Sequence, residues 1–406
     1  LWLEAATRRL QQAFAGSGQR FYARVVDLFS DLVHFGTGVF YVDETPGRRE
    51  LFFSCRHLAE CYVAENEQEQ VDTLFRRFTL TRRQAALRFG EALGPALAEK
   101  AEKRPDEPLE LLHAVLPAAE FEGAAARKGQ AFASVYLTVE EGRVLSEGGY
   151  WDFPYQVPRW SQRARGVYGE SPAMLALADA KMLNQMGRTL IVGAQKQVDP
   201  PLLAPDEAAV RAVRAVPGGV IYGGLDPQGR RLYEPLQTGG NTGLGLQLEE
   251  QRRNAVREAL YASLLLMVAQ PGRTATEVLA LQEEKLRLMG PHLGRVQAEF
   301  LDPLIARVFG LLQRQGALPP PPAGLEGQRL KVAYVSPMAR AQRAGEAQAV
   351  LRTLESLGPL ARLDPAVAQA IDAEAALRVV AEAMGLPAKV LRAPEALAEL
   401  RASAEQ

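Results

Sequence analysis

The sequence predicts an α+β fold that is mainly helical, and three observations carry this prediction. Helical periodicity with few breakers occurs near the start, in the middle and towards the end of the chain. Two pairs of short runs rich in aromatic and β-branched residues flank turn signals. The segment from Ala173 to Gln197 contains no proline, and a helix there would be about 37 Å long. A chain of 406 residues is expected to form more than one compact unit.

The bulk composition is that of an ordinary folded protein, with 47% hydrophobic and 23% charged residues. No stretch approaches the length of a membrane span and no signal peptide is visible, so we expect a soluble, intracellular protein. Because the first residue is Leu1, we expect further sequence upstream. A net charge of -1, from 47 basic and 48 acidic residues, disfavours a nucleic-acid binder of the usual basic kind. Any contact with DNA would be weak, local or sliding.

The first portion is predicted to be α+β. Residues 2–34 have helical periodicity, and the pattern changes at Gly36-Thr37-Gly38. Two hairpins then flank a helical segment. The first hairpin is predicted to turn at Pro46-Gly47 and the second at Glu141-Gly142. The helix between them is predicted to be capped by Thr81.

The long helix begins in a context that first suggests a hydrolase, because Gly169-Glu170-Ser171 starts like a nucleophile elbow. The residue after that serine must donate a backbone N–H to an oxyanion, and Pro172 has none. Ser171 is better interpreted as the N-cap, with Pro172 at the first helical position.

A turn-rich insertion follows the long helix, with possible strands at Gly219 to Tyr222 and Leu232 to Glu234. Its glycines could suggest a phosphate-binding loop, but no Lys-Ser or Lys-Thr follows them, and a flexible connection is favoured. These glycines are Gly239, Gly240, Gly243 and Gly245.

Helix returns at Leu246 and is predicted to end at Gln270-Pro271-Gly272. A second long helix opens with Thr274 and Glu277 in capping-box spacing, and its prolines, Pro291 and Pro303, should kink it rather than end it. A strand at Leu330 to Val335 and two or three alanine-rich helices complete the prediction. The apolar stripe of the second long helix is predicted at Val278, Leu281, Leu288, Val296, Phe300, Leu304 and Phe309.

The sequence shows no catalytic constellation, so it predicts no enzyme and no cofactor. Cys55, His57 and Cys61 invite a zinc hypothesis, but their spacing fits no common site and we expect reduced, partly buried cysteines. Adjacent glutamates such as Glu249-Glu250 and Glu283-Glu284 point to different helix faces and are expected to solvate them. The scattered histidines are expected at the surface or satisfied in the core.

Several phrases, in order along nearly the whole chain, resemble the head-to-tail connecting, or portal, proteins of short-tailed bacteriophages. Each phrase alone is weak, and the ordered set is more specific. The phrases are "DLVHFGTGVFYVDE", "RRFTLTRRQAALRFG", "VYGESPAMLALADAKMLNQM", "AQKQVDPPLLAP", "TATEV", "YVSPMARAQ" and "VAEAMGLPAKVLR".

The resemblance implies a portal fold with wing, stem, clip and crown, in which about a dozen copies form a ring. The two stem helices would be the wall of a channel wide enough for duplex DNA, which would explain the length of the helix after Ser171. The implied divisions are wing 1–169, outgoing stem helix 170–197, clip 198–245, returning stem helix 246–266, tunnel loop 267–273, wing 274–337 and helical crown 338–406.

The resemblance also implies a function: a ring at one capsid vertex through which double-stranded DNA is packaged and later ejected. Implied partners are further copies of the chain, the terminase large subunit docking on the clip, the major capsid and scaffold proteins, and tail adaptor proteins, with no membrane. The protein would reside in the virion and, during assembly, in the host cytoplasm. The near-neutral net charge of the chain is suited to a channel through which DNA slides, because many contacts between basic residues and phosphates would oppose that movement.

On the same resemblance, the tunnel-loop residues Gln270, Pro271, Gly272 and Arg273 would meet DNA. Lys181, Asn184 and Arg188, with Gln195, share one face of the outgoing helix by their spacing. That face would line the channel or meet a neighbouring subunit, and both alternatives stay open here. The competing hypothesis is a helical oligomeric scaffold or adaptor that does not enclose DNA, which ring stoichiometry would distinguish.

Overall fold

The computed structural model describes most of the chain, and its backbone contacts divide it into two units, Leu1–Pro322 and Ala323–Gln406. Mixed helices and sheets are present, in agreement with the predicted α+β class. The described residues are 2–16, 21–45, 50–123, 128–204, 220, 222, 224–236, 242–262, 287–322, 347–356, 372–383 and 386.

The first unit opens with two helices, α1 (Trp2–Ala15) and α2 (Phe21–Phe35). The predicted first hairpin is confirmed: β1 (Val39–Glu44) pairs antiparallel with β2 (Leu51–Arg56). A short strand further along, β8 (Tyr155–Gln156), completes a three-stranded sheet in the order β2-β1-β8.

A five-stranded antiparallel sheet follows, in the order β3-β4-β5-β6-β7. Two helices, α3 (Arg82–Phe89) and α4 (Gly94–Lys103), lie between its second and third strands. The predicted cap is confirmed, because Thr81 and Gln84 form a reciprocal capping box at the start of α3. The strands are β3 (Cys61–Glu65), β4 (Val71–Thr81), β5 (Pro108–Pro117), β6 (Phe132–Thr138) and β7 (Val144–Tyr150), and the pairing of the last two confirms the second predicted hairpin.

Two short strands, β9 (Ser161–Gln162) and β10 (Gly169–Glu170), pair just before the long helix. The long helix, α5, spans Pro172–Val198, with the predicted cap at Ser171. Two further short strands, β11 (Leu202–Leu203) and β12 (Glu234–Pro235), pair antiparallel.

The structure corrects the start of the returning helix. This helix, α6, spans Thr242–Ala259 and so begins four residues before Leu246. Gly243 and Gly245, predicted to lie in a flexible connection, belong to its first turn. The predicted end of this helix is also wrong, because α6 ends at Ala259 and the chain turns at Tyr261, whose φ is +57°, before it reaches residue 266.

The kinked long helix, α7, is described from residue 287 to 314 and contains one π turn at Gln297–Leu301, just before Pro303. The helix therefore continues through both Pro291 and Pro303, as predicted. Val296, Phe300 and Leu304 are buried, which confirms the centre of the predicted stripe, whereas Leu288 is 50% exposed and does not belong to it.

The largest apolar core packs α7 against α2 and the first sheet. Its central residues are Leu28, Leu32, Phe40, Val42, Phe53, Phe300, Leu304 and Val308. We call the two sheets together with α2 and α7 the sheet body. The second unit contains two described helices, α8 (residues 347–356) and α9 (Ala373–Ala383). The predicted strand Leu330 to Val335 lies outside the described residues.

Candidate functional site: a helical hairpin and its base

The two helices α5 and α6 form an antiparallel hairpin. The start of α5 follows from local chemistry, because the Ser171 hydroxyl accepts a hydrogen bond from the Met174 N–H at 2.9 Å and Pro172 occupies the first turn. Arg252 pairs with Asp179 at 3.0 Å, and Gly245 lies against Leu190. Residue numbers on one helix fall as those on the other rise, so the helices run in opposite directions.

Small residues allow the two helices to approach closely. A Cβ placed on Gly245 would lie 2.5 Å from Cδ2 of Leu190, so any larger residue would displace that side chain. On α5 the more buried positions recur at helical spacing, at Ala176, Ala180, Leu183, Gly187 and Leu190. Leu190 at the end of this stripe lies against Gly245, so the stripe is on the side of α5 that faces α6.

Large apolar side chains also lie on faces of the hairpin that the described residues leave open. Leu175 and Ile191 are each 62% exposed, and Leu246 on α6 is 60% exposed. Scattered exposed apolar residues are normal, but a set of this size along one hairpin is typical of a surface that another chain covers. Its other members are Met174, Leu177, Met182, Val192, Leu244 and Leu248.

Lys181, Asn184 and Arg188 are all exposed on α5, and their spacing places them on one face to the side of the stripe that packs on α6. The hairpin carries six cationic and four acidic side chains, a net charge of +2. Several of these charges on α6 neutralise one another: Arg253 pairs with Glu249 at 2.5 Å and with Glu250 at 2.6 Å. The hairpin is therefore only weakly positive.

The base of the hairpin is fixed by the Gly36-Thr37-Gly38 segment, where the sequence pattern changes. Gly36 has a φ of +74°, and a Cβ there would lie 2.5 Å from the backbone carbon of Glu170. The buried Thr37 hydroxyl accepts the Gly169 N–H at 2.7 Å, and the Ser171 hydroxyl donates to the His34 carbonyl at 2.8 Å. The end of α2 and the start of α5 are thus tied together by backbone contacts that only glycine permits at Gly36.

A buried ion cluster lies beside this base, and sequence reasoning missed it. Arg159, whose side chain is 3% exposed, pairs with Glu65 and, at 2.9 Å, with Glu299 in the π turn of α7. It also donates to the Val167 carbonyl at 3.1 Å, and Arg295 pairs with Glu299 at 3.0 Å. One guanidinium therefore connects strand β3, the segment that leads into α5, and α7.

An aromatic cluster holds the far end of the returning helix. The Trp160 and His292 rings stack with centroids 4.6 Å apart. His292 Nδ1 lies 2.9 Å from the Trp160 carbonyl oxygen, so it must donate there, and Nε2 then accepts from the Tyr261 hydroxyl at 3.1 Å. This contact holds Tyr261 and His292, which lie before and after the segment 263–286, close together. The predicted tunnel-loop residues Gln270, Pro271, Gly272 and Arg273 fall within that segment, outside the described residues.

The insertion between the hairpin helices is described only in part. Its strands β11 and β12 pair with each other. Of the predicted strand Leu232 to Glu234 only Glu234 lies in a strand, so the bounds are corrected to Glu234–Pro235. Of the other predicted strand, Gly219 to Tyr222, only Val220 and Tyr222 are described, and neither lies in a strand. An Asp226 turn, in which the carboxylate accepts the Gln228 and Arg230 N–H groups at 2.9 and 2.7 Å, orders the segment before β12.

The described parts of the chain contain neither a candidate metal site nor a candidate membrane-spanning helix. They contain no group of three or more His, Cys, Asp or Glu side chains placed to hold a metal ion, and no described helix is both long and apolar enough to cross a bilayer. Cys55 and Cys61 are free, and burial raises the pKa of each thiol to about 12. His113 is buried, and its two ring nitrogens contact the Tyr155 and Ser134 hydroxyls at 2.8 and 2.9 Å, as expected for a satisfied core histidine.

Comparison with known proteins gives consistent matches along the chain. Residues 1–391 match the family model described as bacteriophage head to tail connecting protein. The chain is 30% identical over 414 residues to the portal protein of Salmonella phage epsilon15, covering 99% of this chain and 73% of that protein. It is 31% identical over 404 residues to a probable portal protein of Bordetella phage BPP-1, covering 96% of this chain and 71% of that protein.

Proposed function

This chain belongs to the bacteriophage head-to-tail connecting proteins, and on that premise we propose that it acts as a portal connector through its helical hairpin. The connector function itself follows from the family, which is structural rather than enzymatic. We further propose that about a dozen copies form a closed ring at one capsid vertex. In that ring α5 and α6 form the stem, and the axial channel admits double-stranded DNA during packaging and ejection.

The observation that carries this proposal is the exposed apolar surface of the hairpin. Each helix only partly covers one side of the other, and Leu175, Ile191 and Leu246 remain at least 60% exposed. Covering such side chains is worth on the order of 1 kcal/mol each. Repeated hairpins in a ring would cover them on both sides of every subunit, which a single chain cannot do.

The charges of the hairpin support passage of DNA rather than tight binding. With a net charge of +2 per hairpin, phosphate contacts would be few and would break singly as DNA advances. Of the two alternatives for the polar face, we propose that Lys181, Asn184 and Arg188 face the channel. They are exposed beside the stripe that packs on α6 and would stay hydrated there.

The remaining divisions are proposed from the family resemblance. Residues 199–241, between α5 and α6, would be the clip that docks the terminase large subunit, and 338–406 would be the crown. Capsid, scaffold and tail adaptor proteins would contact other surfaces of the ring. The tunnel loop 267–273 would follow the returning helix, and its base would be held by the Trp160–His292–Tyr261 cluster.

The experiment that tests the proposal is electron microscopy of the purified protein, combined with native mass spectrometry. We expect closed rings of about a dozen subunits with an open axial channel. A stable monomer at micromolar concentration would contradict the proposal. An open or solid assembly without a channel would instead support a helical scaffold that does not enclose DNA.

The tunnel-loop assignment has its own test in the variant Arg273→Ala. A loop side chain carries little packing energy, so we expect intact rings. Packaged DNA length or DNA retention in filled heads should change, because a ring of arginines that meets phosphates is lost. Normal packaging and retention with intact rings would leave this loop as a simple turn.

A further inference from the structure

Helix α2 carries a second apolar stripe that the sheet body does not use. Its core-facing residues, including Leu28 and Leu32, are buried. A separate row at helical spacing is exposed in the described structure: Tyr22 is 68%, Val26 67%, Phe29 45% and Val33 36% exposed. At 1.5 Å per residue this row is about 17 Å long.

The stripe has the chemistry of a protein contact rather than of a solvated face. None of its four residues is charged, and the charges of the polar face lie on the other side of the helix. Two of these, Arg24 and Asp27, pair with each other at 3.0 Å. Covering the stripe would therefore bury apolar area without removing an unpaired charge from water.

The position of α2 indicates what covers the stripe. The helix ends at the base of the hairpin, where His34 accepts the Ser171 hydroxyl. Exposed apolar residues continue from there along α5, beginning at Met174, Leu175 and Leu177. The stripe on α2 and the open surface of the hairpin thus meet at one junction, and a chain that covers the second can extend onto the first.

We infer that the α2 stripe, Tyr22, Val26, Phe29 and Val33, is part of the contact between neighbouring subunits, with a second copy of this chain as its occupant. The inference rests on the proposed ring. It extends the subunit contact from the hairpin into the sheet body. Each subunit would then contact its neighbour through both the hairpin and helix α2. In a ring of rotational symmetry this contact is heterologous, so the stripe meets a different surface of the neighbour.

Thiol labelling tests the inference with a matched pair of variants in the full chain. Val26→Cys places a thiol on the stripe, and Ala23→Cys places one on the polar face of the same helix, where Ala23 is also exposed. The native Cys55 and Cys61, each with a pKa of about 12, should react slowly with a maleimide. We expect labelling of Val26→Cys to be at least about tenfold slower in rings than in dissociated subunits, with Ala23→Cys labelled equally in both.

A second pair measures assembly. Val26→Glu should raise the subunit concentration for half-assembly at least about tenfold, because a charge would be buried against an apolar surface. Ala23→Glu should leave that concentration unchanged. Neither should lower the thermal unfolding midpoint of the dissociated subunit, since Val26 is 67% exposed.

The outcomes separate the inference from the proposed function. Normal rings in Val26→Glu, or equal labelling of both cysteine variants in rings, would overturn the α2 contact while the ring itself stands. Protection of Val26→Cys in the dissociated subunit as well would assign the stripe to a segment of the same chain and would also overturn it. A wild-type chain that forms no ring would contradict the proposed function directly.

Discussion

The sheet body and the helical hairpin differ in how far their large apolar side chains are exposed. In the sheet body Phe40 and Phe300 are almost fully buried, with 0% and 1% exposure. In the hairpin Leu175 and Ile191 are each 62% exposed. One chain completes the core of the sheet body, whereas the hairpin keeps apolar surface that neighbouring subunits would cover in the proposed ring.

Polar groups show the same contrast. The buried Arg307 guanidinium donates to the Val42 and Asp152 carbonyls at 3.3 and 3.0 Å and lies 3.5 Å from the Asp43 carboxylate, so its partners lie within the subunit. Lys181 and Arg188 on α5 instead lie exposed. The Arg307 guanidinium therefore has internal partners, whereas Lys181 and Arg188 remain accessible from outside the subunit.

The largest expected effect is on the core of the sheet body. Phe300→Ala should lower the free energy of unfolding of the dissociated subunit by about 3–5 kcal/mol, because it leaves a cavity between α7 and the first sheet. Leu288→Ala, on the same helix at a 50% exposed position, should lower it by less than about 1 kcal/mol. Chemical denaturation measures both. Similar losses in the two variants would show that α7 does not divide into buried and open faces.

The second effect concerns the ion cluster beside the hairpin base. Arg159→Met leaves the carboxylates of Glu65 and Glu299 without their main partner and should cost about 2–3 kcal/mol of unfolding free energy. The matched control is Arg163→Met, since Arg163 is 76% exposed and pairs only with Glu170 among the described contacts; it should cost less than about 1 kcal/mol. Equal costs, measured by denaturation, would show that the cluster does not hold the base.

The third effect is a pH dependence of the sheet body. Burial lowers the pKa of His113 well below its ordinary value, so the folded subunit holds this ring neutral. Below the unfolded pKa of about 6.5 the unfolded chain binds a proton that the folded chain does not. Unfolding free energy should therefore fall by up to about 1.4 kcal/mol per pH unit below 6.5, and this contribution should be constant above it.

The variant His113→Gln keeps polar atoms at the site but does not titrate. Its unfolding free energy, followed by denaturation between about pH 8 and pH 5, should fall less steeply than that of the wild type. Identical slopes in the two proteins would assign the pH dependence to other groups.

Whether a structural feature could be predicted from the sequence depends on how far apart in the chain its interacting residues lie. The start of α5 and the N-cap at Thr81 were predicted, because caps depend on residues only a few positions apart. The Arg159–Glu299 pair joins residues 140 positions apart, and nothing in the local sequence near either residue marks it. Long-range charge pairs of this kind are decided by the tertiary fold.

The returning helix shows a different limit. Its start was predicted four residues late, because Gly243 and Gly245 have low helix propensity. In the structure the missing side chain at Gly245 makes room for Leu190. Packing between the two helices therefore outweighs the local preference, and local sequence alone gives no sign of that contact.

The smallest expected effect on the subunit is the most informative about the hairpin. Ile191→Ser replaces an apolar side chain that is 62% exposed with one of similar helix propensity, so the dissociated subunit should lose no more than about 0.5 kcal/mol. Gln185→Ser, at another exposed position of α5, is the matched control and should behave like the wild type. If neighbouring hairpins cover Ile191, its variant should need a clearly higher subunit concentration to form rings, as measured by native mass spectrometry across a dilution series. Assembly that is equally strong in all three proteins would mean that this side chain faces solvent in the ring, and the subunit contact would then have to lie on the other apolar residues of the hairpin.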